Sequence, residues 1–208
     1  WTCEARRYYF NIVGKYGAQV QALLKKAATL DIQTICPLHG PILKENLGYY
    51  IGKYMTWSSY EPEDDGVLVA YASIHGNTKK AAEKMKEILE AKGAKKVAIT
   101  DLSRDDMAEA IEDAFRYDKL VLAAASYDAS VFPCMETFLN KLTNKNYQNR
   151  KIAIIENGSW APTAARVMKS YVEKMKKITL CEKTVTIKSA MKDADVTAME
   201  DLADELLA

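Results

Sequence analysis

The stretch Val67-Leu-Val-Ala-Tyr-Ala72, followed by Ser73-Ile-His-Gly-Asn-Thr78, decides the fold. Its apolar half predicts a buried β-strand, and the short loop after it opens a pattern typical of an amphipathic helix. Where a strand ends at a helix N-terminus, unpaired backbone N–H groups and the positive end of the helix dipole face one point. The loop is therefore predicted to bind phosphate, with hydroxyl groups from Ser73 and Thr78 and close backbone approach at Gly76.

From about Gly66 onward the sequence alternates strand and helix patterns. The predicted strands are Val67–Ala72, Lys96–Thr100, Lys119–Ala125, Ile152–Glu156 and Thr184–Lys188, and the predicted helices are Asn77–Lys92, Met107–Phe115, Pro133–Leu142, Pro162–Lys176 and Val196–Leu207. This alternation predicts an α/β fold with a parallel sheet that is covered on both faces. Right-handed crossovers favour a flavodoxin-like, doubly wound, five-stranded sheet with strand order 2-1-3-4-5.

The region before Gly66 has a different pattern. It predicts a long amphipathic helix over Glu4–Leu30, a short strand over Ile32–Cys36, a tight loop at Pro37-Leu-His-Gly-Pro41, and a helix rich in Tyr and Trp up to about Tyr60. Tyr49, Tyr50, Tyr54 and Trp57 are expected to cover an interdomain or subunit surface. The run Glu61-Pro-Glu-Asp-Asp65 predicts a solvated linker. We therefore divide the chain into residues 1–60, a linker over 61–66, and an α/β domain over 67–208.

Composition and charge restrict the class of protein. The 208 residues are 49% hydrophobic and carry a formal net charge of +1, so no strong field predicts nucleic acid or a membrane as partner. No apolar run approaches the roughly 20 residues of a membrane-spanning helix, and no signal peptide opens the chain. We expect a cytoplasmic protein. Because Trp1 stands where an initiator Met is usual, we also expect the sequence to begin partway through a longer protein.

The four cysteines are scattered along the chain, at Cys3, Cys36, Cys134 and Cys181. None forms a Cys-x-x-Cys pair, which argues against a zinc knuckle, a thioredoxin motif or a disulfide framework. Buried free thiols are the expectation.

Three loops follow predicted strands and are expected to converge at one edge of the sheet: Ser73–Thr78, Ser126–Pro133 and Asn157–Pro162. Each contains small residues and all three lie at carboxyl ends of strands, where ligands bind in such sheets. Close backbone approach combined with aromatic side chains suits a planar, phosphorylated ligand. Flavin mononucleotide (FMN) fits that description.

Other nucleotide-binding classes are disfavoured. The sequence has no Gly-x-x-x-x-Gly-Lys-Ser/Thr motif of a P-loop, and no Gly-x-Gly-x-x-Gly follows the first strand of the α/β domain. A phosphorylated receiver domain would use acidic residues after that strand, where Ser73 and Ile74 stand instead.

Four motifs together resemble the C-terminal portion of a flavodiiron protein. They are Glu4-Ala-Arg-Arg-Tyr-Tyr9, Cys36-Pro-Leu-His-Gly-Pro41, Tyr71-Ala-Ser-Ile-His-Gly-Asn-Thr78 and Phe132-Pro133. The resemblance implies that residues 1–60 are the end of a metallo-β-lactamase-like domain and that 67–208 are a flavodoxin-like FMN domain. Flavodiiron proteins are oxidoreductases that reduce dioxygen to water, nitric oxide to nitrous oxide, or both, at a non-haem di-iron site that receives electrons through FMN.

The resemblance assigns cofactor-binding roles to all three loops. The phosphate would be held by Ser73, Ile74, His75, Gly76, Asn77 and Thr78, and the isoalloxazine ring by Ser126, Tyr127, Asp128, Ala129, Asn157, Gly158, Ser159, Trp160 and Ala161. Trp160 is the first candidate for contact with the ring, and Tyr127 is the second. His75 replaces a Tyr common in the family, and a negative charge at Asp128 would disfavour a reduced anionic flavin.

The resemblance also makes His39 the last ligand of the di-iron site. The remaining family ligands would lie upstream of this sequence, so these residues alone are not expected to complete the metal centre. No catalytic residue is assigned within the chain. The implied partners are a rubredoxin-like or F420-type electron donor and a second copy of the chain, in a head-to-tail homodimer or a tetramer.

Two alternatives remain open from the sequence. The chain could be a stand-alone, flavodoxin-like electron carrier with a vestigial helical extension. A flavin-dependent quinone reductase shares the fold but leaves the Cys36–Pro41 loop unexplained.

Overall fold

A six-stranded sheet with helices on both faces carries the fold, and the computed structural model describes all 208 residues. The helices are α1 Thr2–Tyr8, α2 Gly17–Ala27, α3 Leu47–Ser58, α4 Asn77–Ala91, α5 Met107–Arg116, α6 Pro133–Asn144, α7 Ala164–Val172 and α8 Asp193–Leu207. The strands are β1 Asp64–Ala72, β2 Val97–Asp101, β3 Tyr117–Tyr127, β4 Ser130–Val131, β5 Gln148–Asn157 and β6 Lys176–Ile187. None of the helices combines the length and the apolar character needed to cross a membrane.

The strand order is β2-β1-β3-β5-β6, with every neighbouring pair parallel. This order confirms the predicted flavodoxin-like arrangement of five strands. The short strand β4 was not predicted. It pairs antiparallel with the end of β3, where Ser126 lies opposite Val131.

The core lies in two layers, one on each side of the sheet. Within β1, Leu68, Ala70 and Ala72 belong to the layer under α5, α6 and α7, whereas Val67, Val69 and Tyr71 belong to the layer under α4 and α8. Successive side chains of a strand point to opposite faces, so a strand buried on both faces must be apolar throughout. This explains why β1 has no polar alternation between Val67 and Ala72.

The predicted helix over Glu4–Leu30 is wrong as a single regular helix. A π-helical turn over Tyr9–Val13 and a 3₁₀ turn over Gly14–Tyr16 separate α1 from α2. A π-turn rotates the residues that follow it about the helix axis, so their side chains face a different direction. Here Phe10 stacks on Phe115 with ring centroids 4.2 Å apart, while Gly17 lies so close to α3 that a Cβ would be 2.4 Å from the Ser58 carbonyl oxygen.

The predicted strand over Ile32–Cys36 is also wrong. The structure has only an isolated bridge between Ile35 and Leu43, whose N–H groups and carbonyls pair at 2.9 Å. Pro37 and Pro41 lie between these two residues and have no N–H to extend a ladder.

Helix α7 and strand β6 are the elements of the α/β domain that differ most in extent from the predictions. Helix α7 begins at Ala164 and ends at Val172, inside the predicted range. Strand β6 begins at Lys176, eight residues before the predicted start, and exposed side chains are spread over its whole length. Because β6 is an edge strand, it lacks the continuous apolar run that marks a strand buried on both faces.

The four cysteine thiols were expected to be buried, and only some of them are. All four cysteines are free, but Cys3 and Cys36 are exposed, Cys134 is half-buried and Cys181 is buried. Burial raises the pKa of the Cys181 thiol to about 11. The two thiols of the N-terminal region therefore lie outside the core.

An aromatic cluster joins the N-terminal region to the sheet domain. Trp57 is 1% exposed and packs on Tyr9, Phe10 and Tyr54, with ring centroids between 5.1 and 6.3 Å apart. Of the four aromatic residues expected at a surface between domains, Trp57 is therefore fully enclosed within this chain, whereas Tyr49 stays exposed.

Glu63 connects the same regions through charge. The composition of residues 61–65 predicts a solvated run, but the Glu63 side chain is 6% exposed. Its carboxylate accepts two hydrogen bonds from Arg6, at 2.7 and 3.0 Å, and one each from Lys53 Nζ and Trp57 Nε1, both at 2.7 Å. Arg6 also donates to Glu112 on α5, and burial raises the pKa of that carboxyl to about 7 while Arg6 opposes the rise. Of the two carboxylates that Arg6 contacts, Glu63 is the one whose pKa is lowered, so it stays ionised at neutral pH.

A second buried cation, Arg150, lies near the start of β5, at the same end of the sheet as Glu63. Its guanidinium donates to five backbone carbonyls, those of Tyr60, Phe115, Tyr117, Gln148 and Asn149. Burial lowers the pKa of Arg150. Backbone carbonyl oxygens, and not a carboxylate, accept the hydrogen bonds of this guanidinium. Through Arg150 they connect residue 60 to the starts of β3 and β5.

We predict that Glu63→Gln destabilises the protein by about 3 kcal/mol at pH 7. Burial opposes ionisation of Glu63, but hydrogen bonds from Arg6, Lys53 and Trp57 outweigh it and lower the pKa to about 2, from an ordinary 4.5. A depressed pKa contributes stability above pH 4.5 that is lost as the pH falls toward 2. Urea unfolding over that pH range should show the loss in the wild type and a flatter curve in the variant.

The matched control is Glu87→Gln, because Glu87 forms an exposed ion pair with Lys84 at 3.0 Å. Such pairs contribute about 0 to 1 kcal/mol, so this variant should unfold close to the wild type. Equal urea midpoints for Glu63→Gln and the wild type at pH 7 would contradict the role given to Glu63.

Candidate functional site

A cavity of about 540 Å³ lies where β1, β3 and β5 end. Its lining residues are Ser73, Ile74, His75, Asn77, Thr78, Ala125, Ser126, Tyr127, Asp128, Ala129, Asn157, Gly158, Ser159, Trp160, Ala161, Thr163 and Ser189. The structure thus brings together every predicted cofactor-binding residue except Gly76, which shapes the first loop without lining the cavity.

The first wall is the start of helix α4. Gly76 precedes the helix with a φ of 90°, a left-handed conformation that favours glycine, and no side chain caps the first turn. Ser73 Oγ accepts the Gly76 N–H at 3.1 Å, which holds the loop closed. The N–H groups of the first turn of α4 therefore remain available to an anion beside the buried residues Ser73 and Thr78.

The second wall is a hairpin between β3 and β4. Tyr127 pairs with Ser130, and the two residues between them, Asp128 and Ala129, have φ values of 48° and 54°. Two left-handed central residues correspond to a type I′ turn, which usually contains Asn and Gly. Ala129 in this conformation costs about 1 kcal/mol. The strained turn holds Tyr127 and Asp128 at the cavity.

The third wall is the loop after β5. A Cβ on Gly158 would lie 3.0 Å from Ser126 Oγ and 3.1 Å from Pro162 Cα, so a larger residue would push the loops apart. The Asn157 side chain accepts the Ser189 N–H at 3.0 Å and donates to the Ser189 carbonyl at 2.9 Å. This pair of bonds fixes Ser189, with a φ of 68°, at the edge of the cavity.

Apolar side chains at the rim are exposed. Trp160 is 96% exposed, Tyr127 is 48% exposed, and Ile74 is also exposed. The Tyr127 ring packs edge-on against Phe132, with centroids 5.6 Å apart. Exposed aromatic side chains beside a concave site indicate a surface that a ligand or partner covers.

These features fit FMN. The cavity volume is ordinary for a small-molecule site. An uncapped helix N-terminus and buried hydroxyl-bearing residues suit a phosphate, and the aromatic rim suits a flat ring system.

Three residues that line the cavity were not predicted from the sequence: Ala125, Thr163 and Ser189. Ala125 and Thr163 adjoin the loops that were predicted. Ser189 follows β6, and a signal for it existed, since the carboxyl end of a fifth parallel strand lies at the same edge as the others.

His39 lies far along the chain from these loops, in the N-terminal region. It lines a second, apolar cavity of about 170 Å³, and its ring is 5.2 Å from that of Tyr8 between centroids. No group of three or more His, Cys, Asp or Glu side chains in the structure could hold a metal ion. The residues of this chain do not by themselves fit a di-iron centre.

Comparison with known proteins identifies the family. The flavodoxin domain family matches residues 68–189, more than half of the chain. An anaerobic nitric oxide reductase flavorubredoxin of Aeromonas hydrophila is 23% identical over 160 residues, which are 76% of this chain and 32% of that protein.

Solved structures show the same fold. Rubredoxin:oxygen oxidoreductase of Desulfovibrio gigas superposes with a TM-score of 0.89 at 18% identity, and the flavodiiron protein of Giardia intestinalis with 0.85 at 18% identity. Each match covers 97% of this chain and 51% of the solved chain, so the chain spans about half the length of these neighbours.

The relatives agree with the predicted resemblance, and the matched residues 68–189 include every residue that lines the cavity. The chain belongs to the flavodoxin domain family, with a flavorubredoxin among its relatives and flavodiiron proteins among its fold neighbours.

Proposed function

We propose that this chain is the FMN-binding, electron-transfer portion of a flavodiiron oxidoreductase that reduces dioxygen to water, nitric oxide to nitrous oxide, or both. The observation that carries the proposal is the cavity in which an uncapped helix N-terminus faces the same space as exposed aromatic side chains. The flavorubredoxin relative and the flavodiiron fold neighbours support the choice of oxidoreductase.

Each wall has a part in holding FMN. The loop Ser73–Thr78 binds the phosphate through backbone N–H groups and hydroxyls, while Ser126–Ala129 and Asn157–Ala161 flank the ring. Bound FMN supplies exchange of electrons between donors and acceptors. Asp128 places a carboxylate beside the ring, which disfavours added negative charge there.

The remaining parts of the proposal concern the complete protein. Residues 1–60 belong to a metallo-β-lactamase-like domain, and His39 is one ligand of its di-iron site. Electrons arrive from a rubredoxin or an F420-type donor. A head-to-tail homodimer or a tetramer brings the FMN of one subunit to the metal site of the next.

A stand-alone, flavodoxin-like electron carrier is the alternative. One observation suits it: every residue that lines the cavity belongs to this chain, and binding FMN there needs no residue of a metal site.

The chain should bind FMN about 100-fold more tightly than riboflavin. Two charge-assisted hydrogen bonds from the α4 N-terminus to the phosphate contribute roughly 3 kcal/mol, and riboflavin lacks the phosphate. Quenching of flavin fluorescence on titration measures both dissociation constants. Equal affinities, or no binding of either flavin, would refute the assignment of the Ser73–Thr78 loop.

Replacing Trp160 by Ala should weaken FMN binding roughly tenfold, because stacking on an aromatic ring contributes about 1–3 kcal/mol. The urea midpoint of the apoprotein should stay unchanged, since Trp160 is almost fully exposed. Trp1→Ala is the matched control, because Trp1 lines the second cavity. Wild-type affinity in Trp160→Ala would show that this side chain does not contact the ring.

The product of the complete gene separates the enzyme from the carrier. We expect anaerobically purified protein to contain FMN and a di-iron complement, and to consume dioxygen or nitric oxide when reduced. His39→Ala should lower the iron content and leave the FMN content unchanged, whereas His75→Ala should leave the iron content unchanged. A gene product that binds FMN and contains no iron would support the carrier instead.

A further inference from the structure

Two walls of the cavity are joined directly by the side chains of Ser126 and Thr163. Ser126 Oγ accepts the backbone N–H groups of Thr163 at 2.9 Å and Ala164 at 3.2 Å. In the opposite direction, Thr163 Oγ1 donates to the Ser130 carbonyl at 2.7 Å. The hairpin over 126–131 and the loop over 157–163 are therefore held together by bonds that run both ways.

The first set of bonds gives helix α7 its N-terminal cap from another strand. Thr163 is the residue before α7, and its own side chain makes no capping bond. Ser126, at the end of β3, fills that role instead. A cap supplied in this way fixes where α7 and the loop before it lie relative to β3.

The second bond acts on the strained turn. Ser130 closes the turn that contains Asp128 and Ala129, both in the left-handed conformation. Strand β4 has only two residues, so its ladder gives that turn little support. The Thr163 hydroxyl holds the far side of the turn through the Ser130 carbonyl.

Both loops also present the aromatic side chains of the rim. Tyr127 lies in the hairpin and Trp160 lies in the loop that ends at Thr163, and both line the cavity. A change in the separation of the two loops therefore changes the distance between the surfaces that flank a flat ligand.

We propose that Thr163 is a positioning residue that, together with Ser126, sets the separation of the two walls and so preorganises the cavity for the isoalloxazine ring. The inference rests on the proposed binding of FMN. The Thr163 hydroxyl acts through the Ser130 carbonyl and the strained turn, and rigid walls reduce the ordering cost of binding.

The test compares Thr163→Val, which keeps the shape of the side chain and removes the hydroxyl, with Thr163→Ser, which restores it. Thr143→Val is the matched control, because Thr143 is also half-buried and donates to a backbone carbonyl, that of Leu139 at 2.9 Å within α6. Ser126→Ala tests the other link should Thr163→Val fail to fold. For each protein, the FMN dissociation constant and the visible circular dichroism of bound FMN are measured.

We expect Thr163→Val to raise the dissociation constant about tenfold, since the net contribution of one hydrogen bond corresponds to a factor of up to about ten in affinity. The visible dichroism of bound FMN should change as well. Thr163→Ser should restore both, and Thr143→Val should match the wild type. Ser126→Ala should also weaken FMN binding, and the double variant should lose less than the sum because both links hold the same loops.

Wild-type affinity and dichroism in Thr163→Val would overturn the inference, as would a Thr163→Ser protein that binds as weakly as Thr163→Val. A wild-type protein that fails to bind FMN would instead overturn the proposed function. The two failures are therefore distinguishable.

Discussion

The structure depends on the burial of the central parallel strands on both faces. Strands β1, β3 and β5 pair side by side in the sheet interior, and each contributes side chains to both core layers. A parallel pair requires a crossover helix, and a buried strand requires helices on both of its faces. The carboxyl ends of the three strands therefore meet at one edge, where three loops form a cavity.

A second constraint attaches the N-terminal region. Glu63 immediately precedes β1 and accepts hydrogen bonds from α1 and α3, while Arg6 reaches α5 through Glu112. A buried ion pair is not by itself a strong source of stability, but removing one partner leaves an uncompensated charge. The network therefore fixes the orientation of α1 and α3 on the sheet domain, and the aromatic packing around Trp57 reinforces that orientation.

Different backbone features shape the two ends of the cavity. Backbone N–H groups at the start of α4 suit the phosphate without a basic side chain, because the loop geometry leaves them free. The ring end depends on irregular backbone instead: two left-handed residues in the hairpin, and a glycine that allows Ser126 to approach the opposite loop. Strain of this kind persists only where neighbouring contacts hold it, as Thr163 does for the hairpin.

The sequence by itself determined the order of strands and helices, the parallel sheet and the three loops that line the cavity, because hydrophobic periodicity and turn residues act over short spans of chain. Only the tertiary structure decided the π-turn after α1, the burial of Glu63 and the place of Thr163. Each of these depends on partners distant in sequence: Gly17 adapts to Ser58, Glu63 to Arg6, and Thr163 to Ser130. Local pattern contains no information about such partners, since they meet only when the sheet has formed.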